Sequence, residues 1–543
     1  MNYYSLFLRN SMTNILHTMV FLAVWCFLPL VIFAQSPTEI AQKIDELLIS
    51  ETIVSQTNIC DDETFLRRAF LDIVGQPPSL EDVLVYGLEP SINKRSLLIE
   101  FLLADKTYGA NWSRYWRDVI MFRRTYDQAQ LGVPALESYL TAALNNGVSW
   151  DRIAVDFITA KGDIREDGRT VFIAAQQGRP EETVSEISRI FMGIQIQCAQ
   201  CHDHPTDRWK QEQFHELVAF FPRVAVRPQL DPRSFIVNAT DFIGRRRNPN
   251  ANNRFVGTLE HTMPNLTEPT QPGQVMTPKF FVSGQTLPVG TTDAVRRDSL
   301  ARWITSPDNP WFAIAVTNRV WAELVGEGFY EPVDDIGPDR TPSAPKTMDY
   351  LANEFTLSGY DLKWLIQTIM STQAYQRNSL DRRNYDQIPF QANTIQPLRS
   401  DQLFDSMMSV FEISDVGFEG TGQGPRRQQT PRNIFAEIFG YDPNDPRGDV
   451  AISIPQSLAM MNSKFINEQL QARQGTMLYR LLQEVQSDRA AVQELYLRVF
   501  SRRPNRNELN TSLAYIKQVT NRGESFEDLL WALLNSAEFK TRR

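Results

Sequence analysis

Cysteine and histidine are the scarce residues of this chain, with four of the first and five of the second in 543. So few cysteines exclude a small scaffold stapled by disulfides. Positive charge is not in excess either. The net charge of -9 argues against a dedicated nucleic-acid binder, which presents a basic face. The one basic cluster, Arg245-Arg246-Arg247, lies among Asn, Pro and Gly and reads as a solvated loop. There is no Gly-rich phosphate loop and no Gly-x-Ser-x-Gly elbow. No fixed-period repeat marks a solenoid. What is present is ordinary: 42% hydrophobic residues, enough for two or three domains.

The apolar run Val20 to Phe33 is shorter than the ~20 residues of a spanning helix. Arg9 and His17 precede it and Ala34-Gln35 ends it. A charged start, an apolar middle and a small-residue end make a secretory signal. Residues 1–34 are therefore read as a signal peptide, with a retained anchor as the competing reading. The mature chain is expected to be periplasmic or secreted, with no stable membrane span after cleavage.

Scarcity concentrates the chemistry. Two of the cysteines and two of the histidines fall in Cys198-Ala199-Gln200-Cys201-His202-Asp203-His204-Pro205. Cys-x-x-Cys-His is the attachment pattern of haem c: two thiols add across the porphyrin vinyl groups and the adjacent imidazole reaches the iron. In that reading Cys198 and Cys201 form the thioethers and His202 is the proximal ligand. His215, His261, Met192 and Met263 are candidates for the sixth position. Trp112, Trp116, Trp209 and Phe214 are candidates for the apolar shell, although aromatics at helical spacing also read as core. A second reading is a zinc site built from Cys198, Cys201, His202 or His204, and His215, with Asp203 orienting a histidine and an open position activating water for hydrolysis. A third is a Cys198–Cys201 disulfide in a non-catalytic envelope scaffold or binding protein. Cys60 is then a leftover thiol.

The mature chain reads as mainly α: an N-terminal helical domain over 35–222, an irregular and slightly β insertion over 223–292, and a C-terminal helical domain over 293–543. Residues 37–58, 96–124, 180–198 and 207–221 show helical spacing. The third of these delivers the cysteine motif at its end. Asp61 caps a helix whose apolar face is Phe65, Leu66, Ala69, Phe70 and Ile73, with Arg68 and Asp72 set to pair across one turn. Between 222 and 290 helical periodicity stops and short β-like runs appear, Ser234 to Val237 and Lys279 to Val282. Gly417 to Pro431 reads as a loop. Arg319 and Asp334-Asp335 read as a buried ion pair joining a helix to a loop, or as the wall of a pocket.

Several strings together resemble one family. They are Gln-Cys-Ala-Gln-Cys-His-Asp-His-Pro at 197–205 followed by Trp209, Phe214 and Phe220-Phe221; Asn318-Arg319-Val320-Trp321; Pro332-Val333-Asp334-Asp335; and Ser358-Gly359-Tyr360-Asp361-Leu362. The chain resembles the planctomycete-type secreted pair of domains of unknown function numbered fifteen-forty-nine and fifteen-fifty-three, the first also called cytochrome-like. The resemblance implies the two-part domain plan, export and haem, but no settled activity. Relatives often carry a separate cytochrome c domain ahead of the pair; here one short helix separates the leader from the Asp61 helix. The partner implied is a redox protein or an envelope protein.

Overall fold

The computed structural model describes residues 36–52, 57–231, 233–243, 257–266, 268, 270–380, 388–413, 431–445 and 453–543. The expected signal peptide, Arg245 to Arg247 and, except for Pro431, the expected loop at 417–431 lie outside the described residues. The described chain is mainly helical, with a few short strands concentrated between 224 and 275.

Local signals set the helix ends. Helix α1 (Pro37–Glu51) starts on a capping box in which Ser36 and Glu39 satisfy each other's backbone N–H groups. Helix α2 (Asp62–Ile73) starts at Asp61, whose carboxylate accepts from Thr64 N at 2.7 Å. The 96–124 stretch divides into α4 (Lys94–Ala104) and α5 (Thr107–Met121), preceded by α3 (Leu80–Leu88). Asp105 makes the break: its carboxylate accepts from Thr107 N at 2.7 Å, which turns the chain between the two helices. Helix α6 (Pro180–Met192) also stops short of its expected end, for a reason given below. Helix α7 (Gln211–Val218) is a shortened form of the expected 207–221 helix.

The irregular region contributes a three-stranded antiparallel sheet. Strand β2 (Val224–Pro228) pairs with β3 (Phe235–Ala239), with Val226 opposite Val237, and β3 pairs in turn with β1 (Gly162–Asp163). Lys279 to Val282 forms no strand; Lys279 makes a single bridge to Thr286.

Two apolar clusters fill the interior. The first takes side chains from both sides of the sheet region, from Ile40 to Tyr375 and Phe390. Trp112 and Trp116 belong to it, and Trp116 lies 4.1 Å from Trp150 between ring centroids. The second runs from Leu398 to Phe539 and includes Leu71 of α2.

Arg68 and Asp72 do not pair with each other as expected. Both are buried, and each needs more partners than one neighbour supplies. The end of the chain provides them. Thr541–Arg542 pairs antiparallel with Gln396–Pro397. Arg542 Nη1 then donates to Asp72 Oδ2 at 2.8 Å and its Nη2 to Asn393 Oδ1 at 3.0 Å. Tyr375 Oη donates to the same Asp72 oxygen at 2.8 Å. Arg68 Nε donates to Arg543 O at 2.8 Å and its Nη1 to Arg377 O at 3.0 Å.

Removing one partner of a buried ion pair costs about 3–5 kcal/mol, because the other charge stays buried. Arg542→Ala is therefore expected to destabilise the protein by that amount in urea unfolding, whereas truncating the exposed Lys43 changes stability by less than about 0.5 kcal/mol.

Candidate functional site

The cysteine motif is set off from α6 by Gly193. This residue holds φ 66° and closes the helix in the left-handed conformation, with its N–H on Arg189 O at 3.2 Å. A side chain here would meet Ile336, whose Cδ1 lies 2.5 Å from where a Cβ would stand. Ile336 N also donates to Gly193 O at 2.7 Å. The chain then leaves the helix through Ile194 and Ile196, both buried. Gln197–Gln200 forms a separate 3-10 turn. Three residues per turn place positions three apart above one another. Ala199 points into the core, while Cys198 and Cys201 are exposed and unbonded.

His202 follows, also exposed. Its Nδ1 lies 2.7 Å from Asp203 O. A carbonyl only accepts, so Nδ1 carries a proton, which in the neutral ring leaves the lone pair on Nε2. The loop beyond is tied back on itself. Asp203 Oδ2 accepts from Lys210 Nζ at 2.9 Å and Oδ1 from Gln211 N at 3.0 Å. Lys210 and the Gln211 N–H hold this carboxyl below the usual carboxylate range. His204 N donates to Trp209 O at 2.8 Å.

His215 lies behind the turn, not beside it. It is buried on α7, and its Nε2 donates to Gln200 O at 3.0 Å. That assigns the second nitrogen as an acceptor, and His261 Nε2 donates to His215 Nδ1 at 2.8 Å. The rings stack with centroids 5.1 Å apart. Burial lowers the pKa of both, and His261, with His215 beside it, is pushed down to about 4.

The zinc set read from the sequence is thus not assembled. Both ring nitrogens of His215 are occupied, and among the described residues no trio of His, Cys, Asp or Glu is placed to hold a metal ion. The same pairing uses both ring nitrogens of His215 and the Nε2 of His261. Met192 is fully buried in the first core, and Met263 lies in a two-residue strand. The four aromatics divide. All four are buried in the first core, but in different neighbourhoods: Trp116 packs against Trp150, Trp209 on Phe281 and Trp311, and Phe214 meets His215 edge-on.

The second sequence signal is resolved more fully. Arg319 lies on the helix Pro310–Val325, and Asp334 on the loop after it. Asp334 is 1% exposed. Its Oδ2 accepts from Arg189 Nη1 at 3.0 Å, with Arg319 Nη2 at 3.7 Å and Arg123 Nη1 at 3.9 Å. Its Oδ1 accepts from Gln195 Nε2 at 3.0 Å. Asn444 Oδ1 accepts from both Arg189 (2.8 Å) and Arg319 (2.7 Å). Burial alone pushes the Asp334 carboxyl up, but Arg319, Arg189 and Arg123 outweigh it and hold the group ionised, below the usual range. Arg319 and Val333 also line a cleft with Tyr115, Glu323, Glu331 and Asp445. The ion pair and the pocket wall are therefore one feature. Arg123, Arg189 and Asn444 had no local signal, since their role comes only from long-range packing.

Residues 39–226 match the family PSCyt2, a protein of unknown function (DUF1549), and residues 296–434 match PSD1, a protein of unknown function (DUF1553). The two matches lie in tandem along the chain. No curated protein and no solved structure matches it. Arg123, Arg189 and Gln195 fall in the PSCyt2 part, and Arg319 and Asp334 in the PSD1 part. The Asp334 cluster therefore bonds one part to the other, reaching through Gln195 to within two residues of the cysteine turn.

Asp334→Asn leaves three converging guanidinium groups short of a buried counter-charge and is expected to cost about 3–5 kcal/mol in urea unfolding. The histidine pair gives a pH dependence. The unfolded chain takes up a proton on His261 below its ordinary 6.5, whereas the folded protein refuses it until about 4. Stability is therefore full above pH 6.5, falls between 6.5 and 4, and falls no further through this group below that. The loss is at most about 3 kcal/mol. Urea unfolding of wild type and His261→Gln across that window should show a shallower slope in the variant.

Proposed function

We propose that this PSCyt2–PSD1 protein is an exported haem-c-like protein acting in electron transfer or in a haem-dependent redox step. Cys198 and Cys201 are the thioether positions and His202 the iron ligand. The observation that carries this reading is the bond from His202 Nδ1–H to Asp203 O. Metal-bound histidines characteristically donate their other ring N–H to a carbonyl or carboxylate, which fixes the tautomer that can ligate. Here that bond leaves Nε2 as the donor atom, next to two accessible thiols. The donor set fits a c-type haem. Cys198, Cys201 and His202 are exposed, whereas Trp209 and Phe214 are buried in the core, so a haem bound at these positions would lie open to solvent. When bound, the haem supplies a one-electron couple tuned by its ligand and its exposure.

The protein's own residues position the attachment turn. His215 holds Gln200 O from the core side, Asp203 ties the loop to Lys210 and the start of α7, and Ile336 closes on Gly193. An exposed edge suits transfer to a redox partner or envelope protein docking on this face. The periplasmic or secreted location read from the leader agrees, since c-type attachment takes place outside the cytoplasm.

Expression in a host with c-type maturation machinery tests the proposal. The expected result is a Soret band and the mass of one haem on the peptide carrying Cys198 and Cys201, both lost in Cys198→Ala/Cys201→Ala. A colourless wild-type protein with no added mass rejects it. Zinc in that protein by metal analysis would move the site to metal chemistry, and a mapped Cys198–Cys201 disulfide would leave a non-catalytic scaffold.

A further inference from the structure

The cysteine motif is gripped at both of its ends by the second part of the chain. At the entry, Ile336 fills the space beside Gly193 and donates its N–H to Gly193 O at 2.7 Å. Gln195 Nε2 donates to Asp334 Oδ1 at 3.0 Å. At the exit, Asp207 Oδ2 stands where a Cβ on Gly337 would be, so a side chain there would push the carboxylate aside. Trp209 packs edge-on against Trp311, with ring centroids 6.4 Å apart. Gly193, Gln195, Asp207 and Trp209 fall in the PSCyt2 match, and Trp311, Asp334, Ile336 and Gly337 in the PSD1 match. Residues 334–337 therefore touch the motif on both sides.

Between these grips the motif has little of its own to hold it. The turn at Gln197–Gln200 is four residues long, closed by Ala199 N donating to Ile196 O at 2.9 Å. So short a 3-10 segment does not support itself, because fixing its backbone costs more than one bond returns. Asp203 ties the loop to Lys210 and Gln211, and His215 holds Gln200 O from the core side. Neither contact sets the separation between the point where the chain enters the motif and the point where it leaves. Residues 334–337 do, and they are themselves anchored, since Asp334 accepts from Arg189 at 3.0 Å.

We infer that residues 334–337 are the positioning element of the Cys198–Cys201 pair, with Ile336 the positioning residue that acts through Gly193. By holding entry and exit at one separation, the second part keeps the turn wound and positions 198 and 201 on one edge. Two thiols held in this way react together, because their orientation is fixed before the reaction begins. The inference deepens the reading of the turn as a haem attachment site and rests on that reading for its purpose: two vinyl groups demand two thiols at one spacing. It gives the PSD1 part a share in the site although it holds no cysteine.

The test reads the thiols without haem. Full-length protein from a host lacking c-type maturation machinery is equilibrated with reduced and oxidised glutathione. The Cys198–Cys201 disulfide is then quantified by mass spectrometry of its peptide. Each disulfide formed consumes one glutathione disulfide and releases two glutathiones. Ile336→Ala is expected to lower the equilibrium constant by about tenfold or more, and Ile336→Val to restore most of it. Gly337→Ala, which sets a Cβ against Asp207, lowers it in the same sense. Ile366→Ala, equally buried on the helix Leu362–Ser371, opens a comparable cavity elsewhere. It is expected to lower stability in urea and leave the glutathione constant at its wild-type value. An unshifted constant in Ile336→Ala overturns the inference, as does an equal shift in Ile366→Ala. The Soret band of matured wild type decides the haem reading separately. Its absence beside a shifted constant rejects haem and upholds the positioning role, and its presence beside an unshifted constant does the reverse.

Discussion

A single carboxylate, Asp334, holds the two parts of this protein in register. Taking one charge out of water costs several kcal/mol, and attraction to one counter-charge barely repays it. Asp334 is instead surrounded by three guanidinium groups and one amide, drawn from separate segments of the chain. Guanidinium suits such a site because its planar fork offers several donors at once and stays charged when buried. Arg189 uses this fully, reaching Asp334, Asn444, Glu186 and the backbone of Val119. None of these partners can move without stranding the others. The loop carrying Asp334 also carries Ile336, which fits against Gly193. The place where the cysteine turn leaves its helix is thereby fixed from the opposite half of the molecule.

The turn itself combines a rigid base with a free outer face. Ile196 and Ala199 are sunk in the core, and the Gln200 carbonyl is held by a buried imidazole. The two sulfurs and the His202 ring are left on the solvent side. A buried histidine pair below the turn completes a hydrogen-bonded relay that ends on backbone and needs no ion to satisfy it. Each ring of the pair thereby has a hydrogen-bond partner inside the protein.

The parts of this arrangement that were legible in the sequence are those governed by neighbours a few residues apart. The Asp61 cap, the apolar face of α2, the buried Trp112 and Trp116 and the mainly helical class follow from spacing and capping. The helix breaks at Asp105 and Gly193 were hidden because the flanking apolar spacing continues in phase across them. The pairing of Arg68 with Asp72 was misread for the opposite reason. An i,i+4 rule describes exposed helix surfaces, and these two residues are buried, where long-range partners decide. At the site, the motif and its exposed chemistry were legible. The withdrawal of His215 was not, since it depends on His261, 46 positions further along.

The contact between Asp72 and Arg542 spans 470 positions. A chain that emerges from its N-terminal side lacks the Arg542 counter-charge of Asp72 and the Arg543 acceptor of Arg68 until residues 541–543 have been made. The first core then closes around its own charges only when the last strand arrives. Long-range closure of this kind slows folding. That delay keeps the part of the chain made first from locking shut before the rest has followed.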